Sequence, residues 1–187
     1  MSHAAQLCAL RNDFAFSQQT LGHWLGLSRV QVARIEAGCD PLPRHARPWL
    51  RALGPPGARR WTLVPPVVLP AIPLTGAVPL LARLAECCYQ AQRLHLQLVP
   101  QQAQVDTLRA HLAVGPGLQA ALPPVDAAEA AHSPMARRRR WLTRLLEAAT
   151  DELGPAATAV TLLAARCHAW QSEAAWLAAS LATEPEA

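Results

Sequence analysis

Residues 16–38 read FSQQTLGHWLGLSRVQVARIEAG, and they predict two short helices joined by a tight turn. Ser17 can cap the first helix because its hydroxyl accepts a hydrogen bond from an early backbone N–H. Gly26 supplies the permissive backbone that the turn needs. Ser28 can cap the second helix in the same way, and Gly38 ends it.

The second of these helices is predicted to have a buried face and an exposed face. Val32 and Ile35 lie three positions apart, so they share one face, and their apolar side chains direct it towards the core. The exposed face then holds the remaining side chains, which are Arg29, Val30, Ala33 and Arg34. A short helix that exposes arginines near its N-terminal end fits the major groove of DNA in shape and charge.

In this register the sequence resembles the lambda-repressor-like (Cro/repressor, XRE-type) helix-turn-helix family. The resemblance covers Leu7 to about Leu53. The matching positions in the two motif helices are Ser17, Gln18, Leu21, Leu25 to Ser28, Arg34 to Glu36 and Gly38. The family's preceding helix is matched by Leu7, Leu10, Arg11, Phe14 and Phe16. The resemblance implies a DNA-binding domain at residues 1–53, in which the second motif helix reads bases.

The resemblance also implies roles for individual side chains. Gln18 would fix a phosphate and sometimes a base, and Arg44 would reach the DNA backbone or the minor groove. The positions that would read bases, with their neighbours, are Ser28, Arg29, Val30, Gln31, Ala33 and Arg34. Arg11 and Glu36 match a structural ion pair between the first and third helices. Gly22 stands where the family usually has Ala, which costs about 1 kcal/mol of helix propensity.

Positive charge is concentrated in the first third of the chain. Residues 1–60 hold eight Arg and three acidic residues, whereas residues 61–187 hold nine Arg and ten acidic residues. This excess would attract a polyanion such as DNA. All 17 basic residues are Arg. A Schiff-base lysine, a phosphate-loop lysine and the lysine of a self-cleaving Ser/Lys repressor are therefore excluded.

No catalytic or metal-binding motif stands out in the sequence. Without a Ser/His/Asp grouping, a Gly-rich phosphate loop or paired carboxylates, we expect neither an enzyme nor a cofactor. The nearest approaches to metal ligands, Cys87-Cys88 with His95 and Cys167-His168, lack two complete ligand pairs, so we expect no metal. The five cysteines include no Cys-x-x-Cys pair, and the first residues do not form a signal peptide, which favours the cytoplasm.

The chain is expected to divide into three consecutive regions. Residues 1–53 would form the DNA-binding domain, and seven prolines among residues 54–79 indicate an extended strap lying partly on a folded surface. Five of these prolines interrupt the uncharged residues 61–82, which excludes a membrane span there. Residues 80–187 would form a C-terminal helical region, so the whole protein is predicted to be all-α.

A long amphipathic helix is predicted from Leu80 onwards. Pro100 either kinks this helix or starts a second one after Val99. The apolar residues repeat every seven positions in two columns, made of Leu84, Ala91, Leu98, Val105 and Leu112, and of Leu80, Cys87, Leu94 and Leu108. A repeat of this kind is typical of helices that bury one face against a partner helix.

Further helices are predicted after a loop at residues 114–131, which is rich in Gly, Pro and Ala. Ser133 and Pro134 can begin a helix that stops at Gly154, and Pro155 can open the last one. The three helices of this region would form a bundle or a coiled-coil-like structure.

Two functions from different classes fit the sequence. The resemblance favours a sequence-specific transcriptional regulator, and a homodimer through the C-terminal helices would let two reading helices meet a palindromic site. The alternative is a helical adaptor between proteins that keeps the domain without binding DNA. The arginine run at residues 137–140 adds a charged surface that a DNA flank, an acidic partner or acidic residues of the preceding loop could neutralise.

Overall fold

All regular structure in the described part of the chain is helical. The computed structural model describes residues 3–57, 62–73, 77–124 and 133–183. The helices are α1 (His3–Asp13), α2 (Gln18–Leu25), α3 (Arg29–Glu36), a short 3-10 helix (Arg44–Ala46), α4 (Arg47–Ala52), α5 (Val78–Ala121) and α6 (Pro134–Thr183). The prediction of an all-α protein is confirmed for these residues. None of these helices is both long enough and apolar enough to cross a membrane.

The chain folds into two compact units, and both long helices contribute to each. The first unit comprises Met1–Trp61 and Asp106–Leu153, and the second comprises Thr62–Val105 and Gly154–Ala187. α5 therefore begins in the second unit and ends in the first, whereas α6 does the reverse. This division differs from the three consecutive regions expected from the sequence, because segments far apart in the chain share one core.

In the first unit, α1 to α4 pack with the second part of α5 and the first part of α6. Trp24 lies at the centre, fully buried, and its indole Nε1 donates a hydrogen bond to the Trp49 carbonyl oxygen 2.7 Å away. The Trp24 ring also packs against that of Trp141, with centroids 5.4 Å apart. The buried residues around them include Leu7, Leu10, Phe14, Phe16, Leu21, Leu25, Val32, Ile35, Leu118 and Leu142.

The second unit pairs the first part of α5 with the last part of α6. Its buried cluster contains Leu84, Cys87, Ala174, Leu177 and Leu181. Cys167 on α6 is also buried, and its Sγ donates to the Ala91 carbonyl oxygen 3.4 Å away. Burial raises the pKa of the Cys87 and Cys167 thiols, so both remain protonated at neutral pH. The predicted heptad stripe of α5 thus faces a partner helix, as expected.

α5 is longer than predicted at its C-terminal end. It continues through Gly115 to Ala121, where the sequence indicated a loop. An added Cβ at Gly115 would lie 2.6 Å from Leu146 Cδ2 on α6. The glycine that suggests a loop in the sequence therefore permits a close approach of two helices in the structure. Pro100 lies inside α5 on an exposed position and does not end the helix.

The predicted break in α6 at Gly154 and Pro155 is wrong, because one helix runs from Pro134 to Thr183. A proline in a helix deprives the carbonyl four residues earlier of its donor, at a cost of about 3 kcal/mol. That carbonyl belongs to Asp151, and Asp151 and Pro155 are both exposed, so water can solvate it. The described residues of the C-terminal region therefore form two long helices instead of three.

The proline-rich segment contains no helix or strand over residues 62–73, which belong to the second unit. Val64 and Val67 are half-buried there, whereas Leu63 and Val68 are exposed. α5 begins at Val78, two residues before the predicted start.

Candidate nucleic-acid interface

α2 and α3 are held in place by side-chain caps and a glycine turn. Ser17 Oγ accepts a hydrogen bond from the Thr20 backbone N–H, 3.0 Å away, at the start of α2. Gly26 follows α2 with φ 73°, in the left-handed region, and its N–H donates to the Gly22 carbonyl. The conformation predicted for Gly26 is confirmed, and it lets the chain reverse direction within three residues before α3.

Two of the side chains assigned to DNA form the N-terminal cap of α3. Ser28 Oγ accepts from the Gln31 backbone N–H at 3.2 Å, and Gln31 Oε1 accepts from the Ser28 N–H at 2.8 Å. This capping box satisfies donors that a helix terminus otherwise leaves unpaired. Both side chains are exposed, and their hydrogen bonds to the backbone fix where α3 begins.

The remaining side chains of α3 divide between the core and solvent as the sequence predicts. Val32 and Ile35 are buried. Val30 is 66% exposed, although a valine gains stability when it is buried. Arg29 beside it is exposed and makes no hydrogen bond or ion pair with a described residue, and Ala33 is half-buried on the same helix. α3 thus presents an apolar side chain next to an unpaired guanidinium.

Arg34 is exposed but engaged. Its Nε and Nη2 donate to the two carboxylate oxygens of Asp40, at 2.6 and 2.9 Å. This hydrogen-bonded ion pair raises the pKa of Arg34 and lowers the pKa of Asp40. Nη1 takes no part in the pair, so the end of the guanidinium formed by Nη1 and Nη2 still points donors outward. Sequence alone does not predict this contact, because only the turn after α3 brings Asp40 back to Arg34.

Gln18 belongs to a network at the start of α2. Its Nε2 donates to Glu36 Oε2 at 2.8 Å, and Arg11 Nε donates to Glu36 Oε1 at 2.8 Å. The predicted ion pair between Arg11 and Glu36 is confirmed. The network ties α1, α2 and α3 together and holds the Gln18 amide at the first position of α2. Arg44, at the start of the 3-10 helix, is exposed and makes no hydrogen bond or ion pair with a described residue.

Arg138 is buried beneath α2. In the sequence it is only one member of the arginine run at residues 137–140. Arg138 Nε donates to the Trp24 carbonyl oxygen at 2.6 Å, and its guanidinium lies 4.3 Å from the centroid of the Trp49 ring. Burial lowers the pKa of Arg138, and the neighbouring Arg137 charge lowers it further. A cation at the C-terminal end of α2 is favoured by the helix dipole. Arg138 therefore anchors α6 to the element that positions α3.

No protein-family model, curated protein or solved structure matches this chain. Within the described ranges, no group of three or more His, Cys, Asp or Glu side chains could hold a metal ion.

Proposed function

We propose that this protein is a sequence-specific DNA-binding transcriptional regulator of the helix-turn-helix type, acting in the cytoplasm. In this proposal α3 is the reading helix and enters the major groove. The observation that carries it is the exposed face of α3, where unpaired Arg29 lies beside solvent-exposed Val30. Base edges in the major groove offer a partner for each of them, a guanine acceptor pair for Arg29 and a thymine methyl group for Val30.

Each side chain of that face has a distinct role in the proposal. Arg29 donates two hydrogen bonds to O6 and N7 of one guanine. Val30 contacts a thymine methyl group, and the small side chain of Ala33 allows the helix backbone to approach the bases. Arg34 contacts a base with the end of its guanidinium formed by Nη1 and Nη2, while Asp40 holds the edge formed by Nε and Nη2. Ser28 and Gln31 cap the N-terminal end of α3, which is the end that faces the major groove in this proposal.

Phosphate contacts fix the register of the reading helix. Gln18 and Arg44 supply them in this proposal, since Gln18 is held at the start of α2 and the Arg44 side chain pairs with no described residue. In this proposal two copies join through the C-terminal helices, and a palindromic site requires their reading helices to lie about 34 Å apart, one turn of the duplex. Such a homodimer would bind a palindromic site more tightly than one copy could.

The salt dependence of binding tests this proposal. Affinity for labelled duplex DNA is expected to fall steeply between about 50 and 200 mM salt, because arginines that neutralise phosphates release the cations condensed on the DNA. Arg44→Ala should reduce the slope of log affinity against log salt by about one, whereas Arg166→Ala, which removes an exposed arginine of the second unit, should leave it unchanged. Absence of duplex binding at low salt, with the helical circular dichroism intact, would exclude the proposal.

A second candidate, the helical adaptor between proteins, is favoured by the second unit. Large apolar side chains stand exposed there, among them Tyr89, Leu96, Leu162 and Trp176. Exposed apolar surface often marks a protein contact. An adaptor would bind its partner without salt-sensitive binding to duplex DNA, so the same titration separates the two candidates.

A further inference from the structure

An open cavity with a volume of about 440 Å³ lies in the first unit, away from the exposed face of α3. We call it the arginine cavity, and it is lined by His23, Arg137, Arg140, Trp141, Arg144 and Leu145. Its volume falls within the range of small-molecule sites, about 300–1,000 Å³. Nothing in the proposed reading of DNA uses these residues.

The rim of the arginine cavity carries positive charge that the described residues do not fully neutralise. Arg137, Arg140 and Arg144 share one face of α6, because they are spaced by three and four residues. The Arg137 and Arg144 side chains are exposed and make no hydrogen bond or ion pair with a described residue. Arg137 also lies in the first turn of α6, where the helix dipole disfavours a cation. A bound anion would relieve this repulsion.

The floor of the arginine cavity is apolar and firmly held. Trp141 is half-buried, with its ring centroid 5.4 Å from that of Trp24 and 5.7 Å from that of Phe16. Leu145 is half-buried and packs against the same core. Arg138, between the rim arginines, fixes this turn of α6 through its bond to the Trp24 carbonyl. The cavity therefore combines a rigid indole and leucine surface with a cationic rim.

We propose that the arginine cavity binds a small organic anion that has a carboxylate or phosphate group and an apolar, preferably aromatic, body. Guanidinium groups pair with planar carboxylates and with phosphates through two parallel hydrogen bonds. The apolar body would cover Trp141 and Leu145. A DNA backbone would supply the phosphate, but its sugars offer no aromatic group to cover Trp141, so the lining favours a small molecule.

The site also lies next to the start of α3. An adjoining concave surface of about 360 Å³ shares His23 and Arg137 with the arginine cavity and extends to Gly26 and Ser28. An anion bound in the arginine cavity would therefore lie beside the surface that reaches the turn before α3. In the proposed regulator it would act as an effector; this consequence rests on the proposed function, whereas the binding itself does not.

Titration with 1-naphthyl phosphate, followed by its fluorescence anisotropy, tests the binding on the full-length protein without DNA. We expect saturable binding of one molecule per chain, at least about tenfold tighter than that of inorganic phosphate or of neutral naphthalene-1-methanol. The double variant Arg137→Gln/Arg144→Gln should weaken it by roughly tenfold or more. The control Arg93→Gln/Arg166→Gln removes the same charge from exposed positions of the second unit and should leave it unchanged.

Two results would overturn the proposed site. The first is no saturable binding of 1-naphthyl phosphate to the wild-type protein, and the second is equal weakening in both double variants. If the first result comes with a loss of duplex DNA affinity in Arg137→Gln/Arg144→Gln, these arginines are assigned to the DNA backbone instead. Because the probe is measured without DNA, a failure of the proposed function leaves this test intact.

Discussion

Arg138 shows how a single side chain links α6 to α2. Its guanidinium satisfies the Trp24 carbonyl at the end of α2 and stacks on the Trp49 ring. Removing it would leave a buried acceptor unpaired and would expose aromatic surface. We expect Arg138→Ala to lower the free energy of unfolding by about 2–3 kcal/mol, as measured by urea denaturation. Arg138→Lys should recover little of this loss, because an ammonium cannot stack and donate in the same geometry.

The control for this prediction is Arg166→Ala, which removes an exposed arginine of α6 that has no partner among the described residues. Its effect on the free energy of unfolding should stay within about 0.5 kcal/mol. Equal stability of the Arg138 and Arg166 variants would contradict the anchoring role of Arg138.

The pair formed by Arg34 and Asp40 leads to a prediction about specificity. Arg34 lowers the pKa of Asp40, so the pair is fully formed above the usual pKa range of aspartate and is lost only as pH falls through the lowered pKa. At neutral pH, Asp40→Asn removes a negative charge beside α3 and frees the Arg34 side chain. Affinity for random duplex DNA should rise by about threefold. The ratio between the affinity for a site selected from a random library and the affinity for random duplex should therefore fall.

Asp151→Asn is the matched control, since it removes the same charge from an exposed position of α6 and should change neither quantity. Both are measured by competition between the selected and a random duplex. A sharper preference in Asp40→Asn would mean that Asp40 competes with DNA for Arg34 instead of restraining it.

Contacts close in sequence were predictable, and distant ones were not. Ser17, Gly26 and Ser28 act as caps and turn through local bonds, and these follow from residue type and spacing alone. The bond from Arg138 to Trp24 spans 114 positions. No local pattern indicates which member of an arginine run will be buried, because burial depends on how α6 packs against α2.

At the scale of elements, two glycines with the same helix propensity occupy different surroundings. An added Cβ at Gly22 in α2 would lie 2.6 Å from the Leu27 carbonyl oxygen, whereas at Gly154 in α6 it would meet no atom within 4 Å. Gly22→Ala gains about 1 kcal/mol of propensity but pushes α2 away from the turn before α3. We expect a net loss of about 1 kcal/mol in the free energy of unfolding, and a gain of up to about 1 kcal/mol for Gly154→Ala.

Thermal denaturation of the two variants gives the comparison directly. Stabilisation by both substitutions would show that α2 can move away from Leu27 at no cost. Loss of stability in Gly154→Ala would contradict a continuous α6, because only a chain reversal at that position would require glycine.

The long helices show why breakers mislead when a sequence is read locally. Gly115, Gly154 and Pro155 all indicated helix ends, yet α5 and α6 continue through them. A long apolar stripe gains more by burial than one proline costs, provided that the freed carbonyl faces water. The stripe of α5 was predicted correctly, since its spacing reflects the buried face.

For the whole molecule, the order of the chain does not give the division into compact units. The second part of α5 and the first part of α6 complete the core of the first unit, with Leu118 and Leu142 buried among residues of α1 to α4. Four short helices alone would leave Trp24 and Phe16 without their Trp141 contact. The structure therefore ties the candidate reading helix to the C-terminal helices, a connection that a resemblance limited to residues 7–53 does not include.

Selection of bound sequences from a random duplex library tests the central claim, that α3 reads DNA, most directly. The full-length protein is compared with Arg29→Ala/Arg34→Ala and with the control Arg93→Ala/Arg166→Ala, after circular dichroism has shown that all three are equally helical. The account predicts one enriched site for the wild type and the control, with half-sites about 34 Å apart if two copies bind, and no enrichment for the α3 variant. Enrichment of the same site by the α3 variant, or of no site by the wild type, would contradict it.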